Sequence, residues 1–130
     1  MKNKNILLVG GCGFIGHNLA LELVKKDYNV SIVDSLAVNN LLSFTDNSIV
    51  NKSLYRNILN NRIELINKKK ISLYIEDARN YHSISKLYDK INPDIIIHLA
   101  AVSHANKSNK DPHSTFDHSL RTLENTLDFS

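Results

Sequence analysis

The residues best suited to chemistry stand together near the amino terminus. All four glycines of the 130-residue chain fall within Gly10-Gly11-Cys12-Gly13-Phe14-Ile15-Gly16. Glycine serves where φ is positive or where a backbone must be approached closely. A chain that uses none in its other turns is using them here for one geometry. Ile6-Leu7-Leu8-Val9 reads as a short buried strand before the cluster, and Phe14 to Lys26 as a helix after it. A glycine-rich turn between strand and helix aims backbone N–H groups and the positive end of a helix dipole at one spot, which suits a pyrophosphate. A second strand, Val30 to Val33, ends in Asp34, eighteen residues after Gly16. A carboxylate there accepts from both hydroxyls of an adenosine ribose and repels a 2′-phosphate, so the pattern reads as a dinucleotide site for NAD rather than NADP. The alternatives are a tight β-α turn without a ligand, and a turn or N-cap acid at Asp34.

Other reactive side chains do not assemble into a site. His98 and His104 are six apart, and His113 and His118 five apart, which fits neither H-E-x-x-H nor a zinc-finger spacing. No metal site is expected, and His98 reads as a hydrogen-bonded core histidine. Cys12 has no evident histidine partner and reads as a small residue that fits the turn rather than as a nucleophile. His17 and Asn18 read as an exposed polar face of the first helix.

The elements that position the glycines and Asp34 follow in order. Ile15, Leu19, Leu23 and Val24, widened by Ala20 and Leu21, form the apolar stripe of the first helix. Residues 35–47 read as a polar loop containing Leu36, Leu41, Leu42 and Phe44. A helix capped by Asn47 or Ser48 follows, carrying Ile49, Val50, Leu54, Ile58 and Leu59, with Ile63, Leu65 and Ile66 in a second short helix. Ile71 to Glu76 is a third strand, with Asp77-Ala78 at its carboxyl end. Asp77 there either accepts from an adenine amino group or caps the next segment. Ile84, Leu87, Tyr88 and Ile91 mark a helix that Pro93 ends. The continuous apolar run Asp94 to Leu99 predicts a fourth strand buried on both faces. The small residues Ala100-Ala101 after it let the chain lie close to a flat ligand. Asp111-Pro112 starts a last helix as N-cap and N1, with Phe116, Leu120, Leu123 and Leu127 as its apolar face. The order β-α-β-α-β-α-β-α with right-handed crossovers predicts an α/β, Rossmann-type doubly wound parallel sheet of strand order 3-2-1-4.

Composition bounds the partners. Hydrophobic content of 42% and charged content of 22% are ordinary for one globular domain. The net charge is +3, and only Lys68-Lys69-Lys70 forms a basic run. No aromatic residues interleave with it as a stacking platform requires, so it reads as a solvated helix end and no nucleic acid is expected. A single cysteine excludes an intramolecular disulfide and fits a reducing compartment. The first apolar run is too short for a signal core or a membrane span. A cytoplasmic protein without a membrane segment is expected.

Taken with Asp34 and Asp77, Gly10 to Gly16 and His98-Leu99-Ala100-Ala101 resemble the extended short-chain dehydrogenase/reductases. The chain looks like the amino-terminal part of an NAD-dependent nucleotide-sugar epimerase or dehydratase, and Ala100 to Ser108 is similar to the dehydratase segment A-A-x-S-H-x-D-x-S. The resemblance implies that Gly10, Gly13 and Gly16 line the pyrophosphate, with Phe14 and Ile15 giving it their N–H groups. It implies that Asp34 holds the adenosine ribose, that Asp77 and Ala78 meet adenine, and that Leu99, Ala100 and Ala101 lie along the nicotinamide half. Ser103 would sit near the nicotinamide ribose or the sugar. Val9 stands where the family often has Thr, and His118 and Arg121-Thr122 where it often has Asn and a Gly-Thr pair.

The family's chemistry also uses Tyr-x-x-x-Lys, and none of the five tyrosines (28, 55, 74, 81, 88) has Lys four residues on. No catalytic residue is therefore assigned. The expectation is an NAD-binding portion, residues 1–130, of a larger enzyme, cut before a fifth strand, lacking the catalytic and substrate-binding part and inactive alone. The alternative is a non-catalytic dinucleotide-binding or interaction module. An uncovered fourth strand and the apolar face of the last helix predict self-association, and the resemblance implies a homodimer.

Overall fold

The central strand β1 (Asn5–Val9) pairs in parallel with β2 (Asn29–Asp34) on one side and β4 (Ile95–His98) on the other, and β2 pairs in parallel with β3 (Ser72–Ile75). The computed structural model describes residues 4–38, 51–102 and 105–130. The sheet order is β3-β2-β1-β4, as the sequence predicts. Between the strands run α1 (Phe14–Lys25), α2 (Lys52–Lys68) and α3 (Tyr81–Ile91). After β4 come α4 (Ala105–Lys110), α5 (Pro112–Phe116), a π-helical stretch (Asp117–Arg121) and α6 (Thr122–Asp128).

Successive side chains of a strand face opposite sides, and β1 uses both. Ile6 and Leu8 join Ala20, Val30, Ile32 and Ile66 in the core under α1 and α2. Leu7 and Val9 join Val33, Ala78, Ile84 and Tyr88 in the core under α3. Burial on both faces is what a doubly wound sheet requires of its central strand. No helix among the described residues is long and apolar enough to cross a membrane.

Several expectations need correction. β4 is not buried on both faces: Ile95 is exposed and the rest of the strand only half-buried. Among the described residues β1 is its sole strand neighbour, so no strand pairs with its outer edge. Ile15 leaves the α1 stripe and is 68% exposed, because it sits in the first turn, above the sheet edge rather than against it. Residues 52–68 form one helix rather than two. No Gly or Pro interrupts them, and Leu59, Arg62 and Ile66 make one continuous buried stripe. Its N-cap is Asn51, and the expected caps Asn47 and Ser48 lie outside the described residues.

The last helical segment departs most. Asp111 does cap α5, its side chain accepting from the Ser114 N–H. The π-helical stretch then adds a residue per turn and breaks the i, i+4, i+7 count. Thr122, Asn125 and Thr126 face inward, while Phe116, Leu120 and Leu127 are exposed and Leu123 only half-buried. The reason is hydrogen bonding. Asn125 Nδ2 donates to the Ala78 carbonyl at 2.8 Å, and Thr126 Oγ1 pairs with His98 Nδ1 at 3.0 Å. His98 is thus hydrogen-bonded as the sequence suggests, but half-buried rather than in the core.

Candidate functional site

The carboxyl ends of all four strands open on one cavity of about 380 Å³. In open α/β sheets this edge is where ligands bind. Gly10, Gly13, Phe14, Ile15, Asp34, Asp77, Ala78, Leu99, Ala100 and Ala101 all line it. Two predicted residues remain. Gly16 is buried beneath the turn, where a Cβ would meet Gly11 Cα at 2.6 Å. It packs helix against turn instead of touching the cavity. Ser103 lies outside the described residues.

The glycines divide by what demands them. Gly10 has φ +78°, and a Cβ there would meet the Ala100 N at 2.6 Å, so the fold itself requires glycine. Gly13 differs. Its φ of −68° and ψ of 175° suit any residue, and a Cβ would meet only the Gly10 carbonyl oxygen at 3.6 Å. Nothing in the protein's own packing calls for glycine at a residue that lines the cavity. Gly13 is also the N-cap of α1 and makes no side-chain capping bond. The first-turn N–H groups of α1 are thereby left for an anion at the positive end of the helix. The cradle fits a phosphate group that must come close to the backbone.

The comparisons with known proteins agree with this geometry. A sequence model described as GDP-mannose 4,6 dehydratase matches residues 7–129. The chain belongs to that dehydratase family. A bifunctional UDP-glucose 4-epimerase and UDP-xylose 4-epimerase of Arabidopsis thaliana is 31% identical over 120 residues, covering 90% of this chain and 30% of the relative. A bifunctional enzyme of the same description from Pisum sativum is 28% identical over 119 residues, covering 91% and 30%. Among solved structures, a UDP-glucose 4-epimerase from Stenotrophomonas maltophila with bound NAD and formylated UDP-arabinopyranose superposes with a TM-score of 0.73. It is 26% identical and covers 98% of this chain and 33% of its own. The chain therefore spans about a third of the length of the proteins it matches.

In this dehydratase-family chain, Asp34 does more than end a strand. Its Oδ2 accepts from the Cys12 N–H at 2.8 Å and its Oδ1 from the Leu36 N–H at 2.8 Å. The carboxylate ties the glycine turn to β2 and keeps lone pairs for a further donor. Burial raises its pKa, and the two N–H bonds and the Arg62 charge draw it back. Cys12 is fully buried between Asp34 and Arg62, and burial pushes its thiol up to about 12, with the Asp34 charge adding to the rise. A thiol held neutral is a packing group, as the sequence suggests, and not a nucleophile.

Asp77 is engaged before any ligand arrives. Its Oδ1 accepts from the Arg79 N–H at 2.9 Å, and Arg79 Nη2 reaches Oδ2 at 2.6 Å. That bonding, led by the Arg79 side chain, holds the Asp77 carboxyl below its ordinary value. Arg79 also reaches Asp117 in the π-helical stretch at 2.8 Å. Asp77 therefore anchors the turn after β3 to the last helix while still lining the cavity, and the cap of α3 falls to Asn80 instead. Sequence reasoning missed Tyr55, Arg62, Glu76, His118 and Thr122 as cavity residues. For Arg62 a signal existed: it lies three residues after Leu59 and four before Ile66, on an apolar stripe. Among the described residues no group of three or more His, Cys, Asp or Glu could hold a metal ion.

Proposed function

We propose that this chain is one domain, the NAD-binding portion of a nucleotide-sugar epimerase or dehydratase acting at a sugar carbon. The observation that carries it is Gly13, a cavity-lining glycine that the fold does not need, at the uncapped start of α1. Gly10, Gly13 and the N–H groups of Phe14 and Ile15 hold the pyrophosphate. Asp34 takes the adenosine ribose through lone pairs left by Cys12 and Leu36. Asp77 and Ala78 lie at adenine, and Leu99, Ala100 and Ala101 run along the nicotinamide half towards Ser103. The nicotinamide supplies reversible hydride transfer when bound. This chain's residues fix the dinucleotide and keep water from one of its faces, with Phe14 and Ile15, 74% and 68% exposed, as apolar cover. The Stenotrophomonas epimerase with its bound NAD supports the cofactor, and the two plant relatives support the sugar-nucleotide substrate. The exposed row Phe116, Leu120 and Leu127 supports self-association as a homodimer through the last helix. A reducing, cytoplasmic setting fits the single buried cysteine.

Thermal melting of the protein at its natural length with and without NAD⁺ tests the reading. At about 100 times Kd, binding stabilises by roughly 2.7 kcal/mol, which raises the melting temperature by several degrees. No shift from a folded protein, confirmed by the absence of heat in isothermal titration, overturns the proposal.

A further inference from the structure

Two walls of the cavity come from elements far apart in the chain: Asp77 and Ala78 after β3, and His118 and Thr122 in the last helical run. Arg79 joins them. Its Nε donates to both Asp77 carboxylate oxygens at 3.0 Å, and its Nη2 to Oδ2 at 2.6 Å. Its Nη1 turns the other way and donates to Asp117 Oδ2 at 2.8 Å. Arg121 Nε donates to the second oxygen of Asp117 at 2.7 Å. Charges of opposite sign thus alternate along Asp77, Arg79, Asp117 and Arg121. A planar guanidinium presents its donors in a fixed fork that grips two carboxylates at once, where an ammonium is a single point charge.

These ion pairs do little for the fold. The Asp77, Arg79 and Asp117 side chains are each about a third exposed, and pairs in contact with water add little stability. The same turn is already tied to α6 by the buried bond from Asn125 Nδ2 to the Ala78 carbonyl. What the pairs hold is local. Asp117 opens the π-helical stretch. Such a stretch is rare, and it inserts a residue that a regular α-helix does not have. Its loss would rotate every following side chain by about 100°, Thr122 first among them. Thr122 lines the cavity with its hydroxyl 3.4 Å from the Ala100 carbonyl oxygen, beside the nicotinamide half. Resting on the dinucleotide reading above, we propose that Arg79 is a positioning residue: through Asp117 it keeps the π-helical stretch in register and so sets Thr122 against the nicotinamide end of the cofactor.

The test is titration of the natural-length protein and its variants with NAD⁺ and with ADP, each variant checked by its melting curve. ADP carries the adenine, ribose and diphosphate and does not reach Thr122. Asp117→Ala leaves Arg79 on Asp77 but cuts its link to the π-helical stretch. It should weaken NAD⁺ roughly three- to thirtyfold, the range for residues that bias a site without touching its ligand, and leave ADP within about twofold. It should melt within about 5 °C of wild type. Arg79→Gln should weaken NAD⁺ at least as much, and adding Asp117→Ala to it should weaken NAD⁺ no further, because the link is already gone. Unchanged NAD⁺ affinity in folded Asp117→Ala overturns the inference. So does an equal loss of ADP affinity, or a double variant whose losses add. A larger fall in the melting temperature of either single variant makes the ion pairs part of the fold and overturns it too. A folded wild type that binds neither NAD⁺ nor ADP overturns the proposed function itself, and this inference with it.

Discussion

Replacing Gly13 by Ala separates the fold from the site, and the structure predicts opposite outcomes for the two. Two small effects act on stability. Removing glycine's extra freedom in the unfolded chain stabilises by about 0.4–1 kcal/mol where the backbone already suits Ala, as φ −68° and ψ 175° do. Alanine is also a poorer N-cap than glycine, which costs a comparable few tenths to about 1 kcal/mol. The new methyl meets only the Gly10 carbonyl oxygen, at an ordinary 3.6 Å, so no clash is added. Gly13→Ala should therefore melt within about 5 °C of wild type. The same methyl stands where a pyrophosphate must approach the backbone, and NAD⁺ affinity should fall at least tenfold, about 1.4 kcal/mol. Gly10→Ala is the control. It combines a residue at φ +78° with contacts of 2.6 and 2.7 Å to Ala100 backbone atoms. Strain of about 1–3 kcal/mol and overpacking of about 1–3 kcal/mol together should cost several kcal/mol. Calorimetric melting and isothermal titration read both quantities. Unchanged NAD⁺ binding in a folded Gly13→Ala variant would refute the reasoning, as would a loss of stability matching that of Gly10→Ala.

Three further outcomes follow from the polar contacts. Asn125→Leu keeps the branched shape in a larger side chain but leaves the buried Ala78 carbonyl without its donor, and should cost at least about 1–3 kcal/mol in denaturant unfolding. Cys12, pushed to about 12 by burial, should resist iodoacetamide at pH 8 in the native state and react once denaturant is added. Its folded pKa is raised, so the stability tied to it is complete below the unfolded value near 9 and is lost as pH climbs towards 12. Burial holds His98 below its ordinary pKa. The folded state then binds fewer protons than the unfolded chain, so this contribution falls away as pH drops through 6.5, and His98→Gln should flatten the decline in melting temperature between pH 7 and pH 5.

The strand, glycine turn, helix and Asp34 were legible because each signal is local and agrees with the next. Glycines confined to seven residues, an apolar run before them and an acid after the second strand leave one arrangement. The last helix was not legible for a physical reason. Hydropathy treats Thr122, Asn125 and Thr126 as surface, yet they fall at i, i+3 and i+4 and make a stripe as regular as the leucines. Their inward placement follows from where α6 lies. It packs beside the carboxyl ends of strands, where carbonyls such as that of Ala78 and the ring of His98 need partners. An apolar face laid there would leave those groups unbonded.

Arg62 escaped notice for the mirror-image reason: a charged residue inside a helix reads as solvent-facing. It is buried because the glycine turn, whose N–H groups serve one side, presents the Cys12 carbonyl on the other, and a carbonyl facing inward requires a donor from the packed helix. The same logic accounts for Asp34 on the Cys12 N–H. Cys12 is thus held at both ends of its backbone by an acid and a base from different elements, β2 and α2. A turn fixed in this way loses little further freedom when a phosphate arrives, which is how a short loop can bind an anion without ordering on contact. The residues that make the turn rigid therefore belong to the site as much as the glycines that line it.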